Sequence, residues 1–539
     1  MKIIDVNTGH DGGCALSLDG KVKIAISEER LTRKKCAHGW LNSLSYCLDN
    51  SNLTLNDIDL VVFSSYGNEL PKSYDGGLSK FGFSQEKCIS VDHHLSHACT
   101  AFLTSPYRKS LIFVYDSSGN NSDTESFYIG EENKIKKIGG NPIKDPFKGI
   151  VRAYEAFTSY FGWNSDEAGK TTGLASYGNP LKYKKYPIYS QTKEGWYYNN
   201  LEDLYADGVE KLLKKFKINN YKKFSNNSME YIDLAAWIQS EFERAVLGTI
   251  NKLYETTGID ILCISGGGAL NSVCNGMILE KTKVKNLFIF PASSDKGQCI
   301  GNALYGHYIY NNRNRQNYVW KSDYTGQNYD PALTLKLVNL NNNAFRENVI
   351  SGTSKYKFKV MKNTTKEVAK LIADGKIIGW FQEGSELGPR ALGHRSIICD
   401  PRRPEMKDIL NERVKHREGF RPFAPSILLE KSEEYFGLRV PSPFMLLAVN
   451  VNTDKYKVIP AVTHVDKTAR VQTVTKQDNG IYYDLISEFY KCTGVPVILN
   501  TSFNLAGEPI VETPKDAMKC FLKTEMDFLV IDNLLIQKI

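Results

Sequence analysis

A short apolar run, a glycine-rich turn and a helical pattern follow one another twice in succession, and this repeat constrains the fold most. The first copy comprises an apolar run at residues 259–264, the turn SGGGALN and a helical pattern. In the second copy, an apolar run at residues 286–290 leads into PASSDKGQCIGNAL, where small residues again open a helix. Strands and helices in alternation are typical of an α/β domain. The sequence therefore predicts an α/β fold for this part of the chain.

Other parts of the chain carry patterns that divide it into two domains. Near the N-terminus, two short apolar runs flank the pair Asp19-Gly20, which indicates a β-hairpin. Residues 311–355 are polar and rich in asparagine, so we predict a domain boundary there. The division gives a first domain of residues 1–345 and a second α/β domain of residues 346–539.

Helical periodicity is clear in both predicted domains. A long apolar stripe over residues 231–255 predicts a helix that stops near Gly258. In the second domain, residues 365–373 read as a helix and residues 376–380 as a strand. These elements support an α/β class for both domains.

Composition excludes several classes of protein. The 539 residues are 42% apolar, enough to fill hydrophobic cores, so a disordered or fibrous chain is excluded. The net charge of +8 is too dilute over this length to mark a nucleic-acid binder. Neither an apolar leader nor a run of about 18 apolar residues occurs. We therefore expect a cytoplasmic protein that contacts no membrane and no nucleic acid.

Two histidines four residues apart suggest a metal site. His93 and His97 follow Asp92, a good N-cap residue, so on a helix the two imidazoles share one face. Divalent metals then need carboxylates, and the donors we expect are Asp116, which ends the run LIFVYD, and Asp295, in the second glycine turn. Chance spacing of two of the nine histidines is the alternative that spacing alone leaves open.

Glycine-rich turns offer backbone N–H groups to phosphate. The turn SGGGALN, with Gly266, Gly267 and Asn271, precedes a predicted helix and could receive a nucleotide. A tight strand–helix turn explains it equally well. The run DEAGKTTGL adds Lys170, but it lacks P-loop spacing and from spacing alone reads as a surface loop.

Basic residues are dense between positions 390 and 421, where the sequence contains nine basic residues and five acidic ones. Prolines and glycines interrupt the run, so it does not form one solvated helix face. Arginine can also donate two parallel hydrogen bonds to a phosphate or a carboxylate. An anion pocket is therefore favoured over a charged surface. The nine basic residues are Arg390, Arg395, Arg402, Arg403, Lys407, Arg413, Lys415, Arg417 and Arg421. Downstream, the polar residues that could receive a nucleotide or a phosphoryl group are Arg470, Asn500, Thr501, Ser502 and Asn504.

These motifs, taken in order, resemble those of the O-carbamoyltransferases of the nodulation-factor, tobramycin and cephamycin type. The first domain carries the runs NTGHDGGCALSLDG…ISEERLTRKK, HHLSHA, EAGKTTGLASYG, SGGGALN and PASSDKG. The second carries ELGPRALGHRSI, NERVKHREGFRPFAPS, HVDKTARVQTV and GVPVILNTSFNLAGEPIVETP. The resemblance implies an actin/Hsp70-like first domain (the ASKHA class, a duplicated βββαβα unit) and a YrdC-like second domain.

The resemblance also implies roles for residues. His93, His97, Asp116 and Asp295 match the family's ligands for Fe²⁺ or another divalent metal, and His10 matches its base for the acceptor hydroxyl. Lys415-His416-Arg417 and Ser502-Phe503-Asn504 match the K-x-R and S-x-N signatures of YrdC-like sites for ATP and carbamoyl phosphate.

The implied reaction has two stages. Carbamoyl phosphate and ATP, the latter with Mg²⁺, would give carbamoyl adenylate and pyrophosphate, and the carbamoyl group would then pass to a hydroxyl of a small molecule. The family is also compatible with a homodimer. Two alternatives remain: a threonylcarbamoyl transferase acting on tRNA, against which the diffuse charge argues, and a nucleotide-binding regulator without turnover.

Overall fold

The computed structural model describes residues 1–7, 9–65, 82–141, 143, 145, 147–203, 205–336 and 356–539. These residues form two compact units. Unit 1 comprises Met1–Ala25 and His38–Trp320, and unit 2 comprises Ile26–Ala37 and Lys321–Ile539. The predicted boundary after residue 345 lies outside the described residues and stays a prediction, while residues 321–336 group with unit 2.

The elements of the N-terminal part of the chain are short strands and longer helices. The strands are β1 Lys2–Asn7, β2 Gly13–Leu18, β3 Lys21–Ser27, β4 Leu60–Ser65, β5 Cys88–Asp92, β6 Lys109–Tyr115, β7 Glu125–Glu131, β8 Lys134–Gly140, β9 Tyr189–Gln191, β10 Tyr197–Asn199, β11 Ile261–Ser265 and β12 Asn286–Ile289. The helices are α1 Glu28–Thr32, α2 Leu41–Asp49, α3 His93–Leu103, α4 Ile150–Tyr160, α5 Ala168–Ala175, α6 Tyr205–Lys215, α7 Ile232–Thr257, α8 Ser272–Lys281 and α9 Gln298–Tyr305.

Unit 1 contains two five-stranded sheets with the same topology. Their strand orders are β3-β2-β1-β4-β5 and β8-β7-β6-β11-β12. In the first sheet β1 is antiparallel to β2 and parallel to β4, and β4 is parallel to β5. In the second sheet β6 is likewise antiparallel to β7 and parallel to β11, and β11 is parallel to β12. The helices α3 and α9, which follow the fifth strands, pack against each other. The predicted duplication of a βββαβα unit is therefore confirmed.

The local signals of the sequence are also confirmed in unit 1. Asp19 and Gly20, at φ of 49° and 78°, make the left-handed turn between β2 and β3 that a two-residue hairpin requires. The long helix α7 ends at Thr257, and Gly258 adopts φ of 70° at its C-cap.

One local interpretation is wrong. The run that contains Lys170 is a helix, α5, and not a surface loop. A capping box formed by Asn164 and Glu167 opens the segment, and α5 packs against α4 and α7. Tertiary packing thus outweighs the low helix propensity of two glycines and two threonines.

Unit 2 is built on one mixed sheet. Its strands are β13 Tyr356–Val360, β14 Ile378–Phe381, β15 Arg395–Cys399, β16 Ala424–Leu428, β17 Leu447–Asn450, β18 Thr468–Val474, β19 Val497–Ser502, β20 Phe528–Ile531 and β21 Leu534–Lys538. They are ordered β13-β21-β20-β14-β15-β19-β16-β18-β17. Its further helices are α10 Thr364–Ala373, α11 Met406–Leu410, α12 Ser432–Phe436, α13 Gly480–Thr493 and α14 Pro514–Lys523. The sheet confirms a second α/β unit, while its likeness to YrdC stays a prediction.

The motif ISEERLTRKK predicts that residues 26–37 belong to the first domain, but they belong to unit 2. The guanidinium of Arg30 is buried and donates to the carbonyl of Gly388 at 2.7 Å. Arg33 donates to the carbonyl of Ile510 at 2.6 Å. Because these carbonyls lie more than 350 residues away in sequence, no local pattern reveals the association.

No described helix is both long enough and apolar enough to cross a membrane.

Candidate functional site

The start of α3 presents two buried imidazoles. The carboxylate of Asp92, the last residue of β5, accepts a hydrogen bond from the backbone N–H of Leu95 at 2.9 Å and so caps the helix. His93 and His97 lie one turn apart on the same face, with ring centroids 5.0 Å apart. The helix therefore holds both side chains rigidly against the interior of unit 1.

Two carboxylates from the other sheet complete the group. Asp116 directly follows β6, and the N–H of Ser117 donates to its Oδ1 at 2.7 Å. Asp295 begins the short turn Asp295–Gly297 that leads into α9. The ligand atoms of His93, His97, Asp116 and Asp295 all lie within 4.8 Å of one another. We call these four buried residues the metal cluster.

The distances within the metal cluster fit a divalent ion. Nε2 of His97 lies 3.0 Å from Oδ2 of Asp116 and 3.2 Å from Oδ1 of Asp295, and Nε2 of His93 lies 3.4 Å from the latter atom. With metal–ligand lengths near 2.1 Å, adjacent ligands lie about 3.0 Å apart around a six-coordinate ion and about 3.4 Å apart around a four-coordinate one. Oδ2 of Asp116 is buried and has no hydrogen bond of acceptable geometry. These residues could therefore hold a metal, and imidazole with carboxylate suits Fe²⁺, Mn²⁺ or Zn²⁺.

The electrostatics of the metal cluster favour a cation. Burial lowers the pKa of His97, but the carboxylates of Asp116 and Asp295 outweigh burial and raise that pKa to about 9. Burial raises the pKa of Asp116, and the two imidazoles more than offset it, so that this pKa lies well below its ordinary value. The two carboxylates thus attract positive charge to the space between the four side chains.

The glycine turn after β11 lies beside the metal cluster. Oγ of Ser265 is 3.2 Å from Nδ1 of His97, so that Nε2 of the same ring faces the two carboxylates of the metal cluster. Gly266 has φ of 94°, and a Cβ there would lie 2.3 Å from the carbonyl oxygen of Tyr115. A Cβ on Gly267 would lie 3.2 Å from Oδ1 of Asp116. The turn therefore lies so close to the end of β6 that only glycine fits at position 266.

His10 reaches the solvent side of the metal cluster. It lies in the turn between β1 and β2, and its Nε2 is 3.3 Å from Oδ2 of Asp295. Its side chain is 58% exposed, whereas that of Asp295 is 11% exposed. The imidazole thus stands between the buried ligands and the surface of unit 1, and its role as a base stays a prediction.

Lys170 and Asn271 have structural partners. Nζ of Lys170 forms an ion pair with Oε1 of Glu167 at 2.7 Å, within one turn of helix. Oδ1 of Asn271 caps α8 by accepting from the N–H of Cys274 at 3.1 Å, and its amide exchanges hydrogen bonds with Gln239. Neither contact involves the metal cluster, and their predicted role in nucleotide binding stays a prediction.

Sequence reasoning missed Gln298, the first residue of α9. Its Nε2 lies within 3.1 Å of nitrogen or oxygen atoms of His93, His97 and Asp295. The signal available was its position three residues after Asp295 at the start of a helix, which places both side chains on one face.

In unit 2, the structure brings the K-x-R and S-x-N motifs together. Lys415 ends the π-helical turn Asn411–Lys415, and its Nζ donates to the carbonyl of Ser502 at 2.8 Å and to Oδ1 of Asn504 at 2.7 Å. Ser502 is the last residue of β19. The ammonium group is therefore fixed at the end of a central strand of the sheet.

Arginines lie near this lysine, and burial followed by repulsion from Arg417 holds the pKa of Lys415 well below its usual range. We call Arg390, Lys415, Arg417, Arg421 and Arg470 the cationic cluster. Burial, followed by repulsion from Arg421, lowers the pKa of Arg390 to about 10 and that of Arg417 to about 9. Burial and then three neighbouring arginines hold the pKa of Arg470 well below its usual range.

Ion pairs do not offset this concentration of positive charge. In the part of the chain that the structure describes, Arg390, Lys415, Arg417 and Arg470 have no carboxylate within ion-pair distance. Nε of Arg390 and Nε of Arg470 are buried without a hydrogen-bond partner. Lys415 is buried and the arginines are half-buried, and charge of one sign held away from water is costly unless it is paired, so the cationic cluster is suited to binding a polyanion.

Asn500 supports this site as part of its scaffold. Its Nδ2 lies 3.1 Å from the carbonyl oxygen of Ala391, from Oγ of Ser426 and from Oε1 of Gln472. The amide thus connects the residue next to Arg390 to the neighbouring strands β16 and β18. Its Oδ1 is buried without a partner, so a ligand contact by that atom stays a prediction.

Comparison with known proteins identifies the family of both units. Residues 2–80 and 72–304 match the family Carbamoyltransferase N-terminus, and residues 369–538 match Carbamoyltransferase C-terminus. The chain is 35% identical to the uncharacterized protein sll1178 of Synechocystis, over 98% of this chain and 95% of that protein. It is 34% identical to the nodulation protein NolNO of Sinorhizobium fredii, over 98% of this chain and 79% of that protein.

Among solved structures, a full-length HypF in a phosphate- and nucleotide-bound form aligns with a TM-score of 0.37 and 13% identity, over 57% of this chain and 55% of its own. The family matches cover most of the chain, and the relatives extend over nearly all of it. As its ordered motifs predict, the chain is an enzyme of the carbamoyltransferase family.

Proposed function

We propose that the protein is an O-carbamoyltransferase that makes carbamoyl adenylate in unit 2 and uses it in unit 1 to carbamoylate a hydroxyl group of a small molecule. The observation that carries the proposal is the cationic cluster, in which four side chains have no ion pair among the described residues. Two polyanions, ATP and carbamoyl phosphate, are the substrates that such a site would accommodate.

In the first stage, carbamoyl phosphate reacts with water to give carbamate and phosphate. A carbamate oxygen then attacks the α-phosphorus of ATP, the bond to the β-phosphate oxygen breaks, and pyrophosphate leaves. The products are carbamoyl adenylate, phosphate and pyrophosphate. Mg²⁺ accompanies ATP as its usual counterion.

The cationic cluster has two tasks in this stage. Arg390 and Arg470, each with an unpartnered Nε, would neutralise charge where the two substrates meet. Lys415 would hold one anion at a fixed place, because Ser502 and Asn504 already orient its ammonium group. Mutual repulsion among the five cations is relieved when an anion binds, so part of the cost of building the site is recovered on binding.

In the second stage, the hydroxyl oxygen of the acceptor attacks the carbamoyl carbon, the bond between that carbon and the phosphate oxygen breaks, and AMP leaves. His10 would take the hydroxyl proton on Nε2, where it now faces Asp295 at 3.3 Å. His93, His97, Asp116 and Asp295 would hold a divalent metal, which supplies polarisation of the carbamoyl or phosphate oxygens. The N–H groups of the turn with Gly266 and Gly267 would receive the phosphate of AMP.

The proposal is tested by incubating the full-length protein with ATP, Mg²⁺, Fe²⁺ and carbamoyl phosphate. We expect release of pyrophosphate that requires carbamoyl phosphate. With a panel of hydroxylated metabolites added, mass spectrometry should detect AMP and an acceptor that has gained one carbamoyl group. Pyrophosphate release that is independent of carbamoyl phosphate would contradict the first stage.

A further inference from the structure

The side chain of Gln298 points at the centre of the metal cluster. Gln298 is 1% exposed, and Nε2 of its amide lies 3.0 Å from Nε2 of His97, 3.1 Å from each ring nitrogen of His93 and 2.9 Å from Oδ1 of Asp295. Every hydrogen bond that the structure gives to this amide involves a member of the metal cluster. Buried amides need hydrogen-bond partners, and this one finds them only among the candidate ligands, so it is an immediate neighbour of any metal bound there.

The distances from Nε2 of Gln298 to the metal cluster match the separation between adjacent ligand atoms of a single metal ion. Around a six-coordinate ion with bonds of about 2.1 Å, adjacent ligand atoms lie about 3.0 Å apart. The terminal amide atom of Gln298 meets this separation to three ligands at once. A nitrogen of a neutral amide does not ligate metals, but half a turn about the last side-chain bond exchanges Nε2 for Oε1, and amide oxygen is a metal ligand.

The backbone of Gln298 is held in place by α3. Oγ of Ser96 donates to the carbonyl of Gln298 at 3.3 Å, and Oγ1 of Thr100 donates to that of Gly297 at 3.0 Å. One turn further along α9, a Cβ on Gly301 would lie 2.2 Å from the carbonyl oxygen of Ser96. The two helices are thus in close backbone contact, and the side chain of Gln298 is fixed toward the imidazoles of α3.

We propose that Gln298 is a fifth protein ligand of the divalent metal and binds it through Oε1. This inference rests on the proposed metal site and deepens it. The amide adds no charge, so two carboxylates still balance a divalent cation. Five protein ligands leave a six-coordinate ion one position for a substrate oxygen or a water molecule.

The experiment uses Mn²⁺ as the probe and the full-length protein. Titration followed by electron paramagnetic resonance gives the affinity, and water-proton relaxation gives the number of water molecules bound directly to Mn²⁺. For Gln298→Met, which keeps the size of the side chain, we expect about 10–100-fold weaker binding and one additional bound water. Gln298→Glu should restore both values, since its carboxylate oxygen can take the same place.

The control variants separate the possible failures. His97→Ala should abolish binding, and Gln239→Met, a change at a glutamine outside the metal cluster, should leave affinity and water number unchanged. If Gln298→Met has wild-type affinity, or weaker affinity with an unchanged water number, Gln298 is not a ligand and the metal cluster still stands. If the wild-type protein binds no Mn²⁺, the proposed metal site fails and the inference fails with it.

Discussion

The metal cluster of unit 1 and the cationic cluster of unit 2 both concentrate charge away from water, but they balance it differently. The metal cluster brings its own opposite charges, because two carboxylates face two imidazoles at 3.0 to 3.8 Å. The cationic cluster gathers positive charge that few carboxylates offset. From this difference we expect the first site to be preorganised without a ligand, and the charge repulsion within the second to be relieved when an anion binds.

The largest effect is expected for His10, the proposed general base of the transfer step. His10→Asn should lower carbamoyl transfer to an acceptor about 10²–10⁴-fold, as loss of a general base typically does. Pyrophosphate release in unit 2 should remain at the wild-type rate, because His10 belongs to the other unit. Both rates can be followed in one reaction with an acceptor that the wild-type enzyme carbamoylates. Near wild-type transfer by this variant would show that another group takes the proton.

A slightly smaller effect is expected in the cationic cluster. Arg417→Ala should reduce carbamoyl adenylate formation about a hundredfold, which corresponds to a loss of roughly 3 kcal/mol of transition-state stabilisation. Transfer from carbamoyl adenylate supplied to the variant should be largely intact. Lys431→Ala, at an exposed ion pair on the same unit, is the matched control and should change neither rate. An equal loss in both half-reactions would contradict the division between the units.

Replacing a charged side chain by an apolar one should change the free energy of unfolding of the protein in opposite directions at the two sites. Arg470→Met removes a half-buried cation surrounded by three arginines, so we expect the free protein to be stabilised by on the order of 1 kcal/mol. Asp116→Leu removes a carboxylate that two imidazoles need, and should destabilise the protein. Urea unfolding without ligands compares the two. Destabilisation by Arg470→Met would mean that the cationic cluster is balanced by groups other than a ligand.

The smallest effect tests whether Asn271 is structural. Asn271→Ala removes the N-cap of α8 and should cost about 1 kcal/mol of folding free energy, as such caps do. The Michaelis constant for ATP should not change. Asn271→Asp, which can cap the helix with a carboxylate oxygen, should recover the stability. A raised Michaelis constant with normal stability would instead support the predicted contact with a nucleotide.

The sequence predicts the parts of these sites that depend on local periodicity. The four-residue spacing places His93 and His97 on one helix face, and the strand ends locate Asp116 and the turn of Asp295. The duplicated sheets then bring these residues together. The sequence places Gln298 three residues after Asp295 on the same helix face, but this spacing alone does not show that the face meets the imidazoles of α3.

Long-range packing explains the other differences. The sequence alone favours a loop for the segment of α5, because this helix is stabilised by packing against α4 and α7 more than by the helix propensity of its own residues. Residues 26–37 join unit 2 because Arg30 and Arg33 bind backbone carbonyls that only the folded chain presents. Contacts of this kind leave no periodic signal in a single sequence.

The most direct test of the account compares Lys415→Ala with Asp116→Asn, measuring pyrophosphate released from ATP in the presence of carbamoyl phosphate. This measurement needs no knowledge of the acceptor. We predict that Lys415→Ala loses about a hundredfold in rate, whereas Asp116→Asn releases pyrophosphate as the wild type does while binding metal weakly or not at all. Loss of pyrophosphate release in Asp116→Asn, or its persistence in Lys415→Ala, would contradict the assignment of adenylate formation to the cationic cluster.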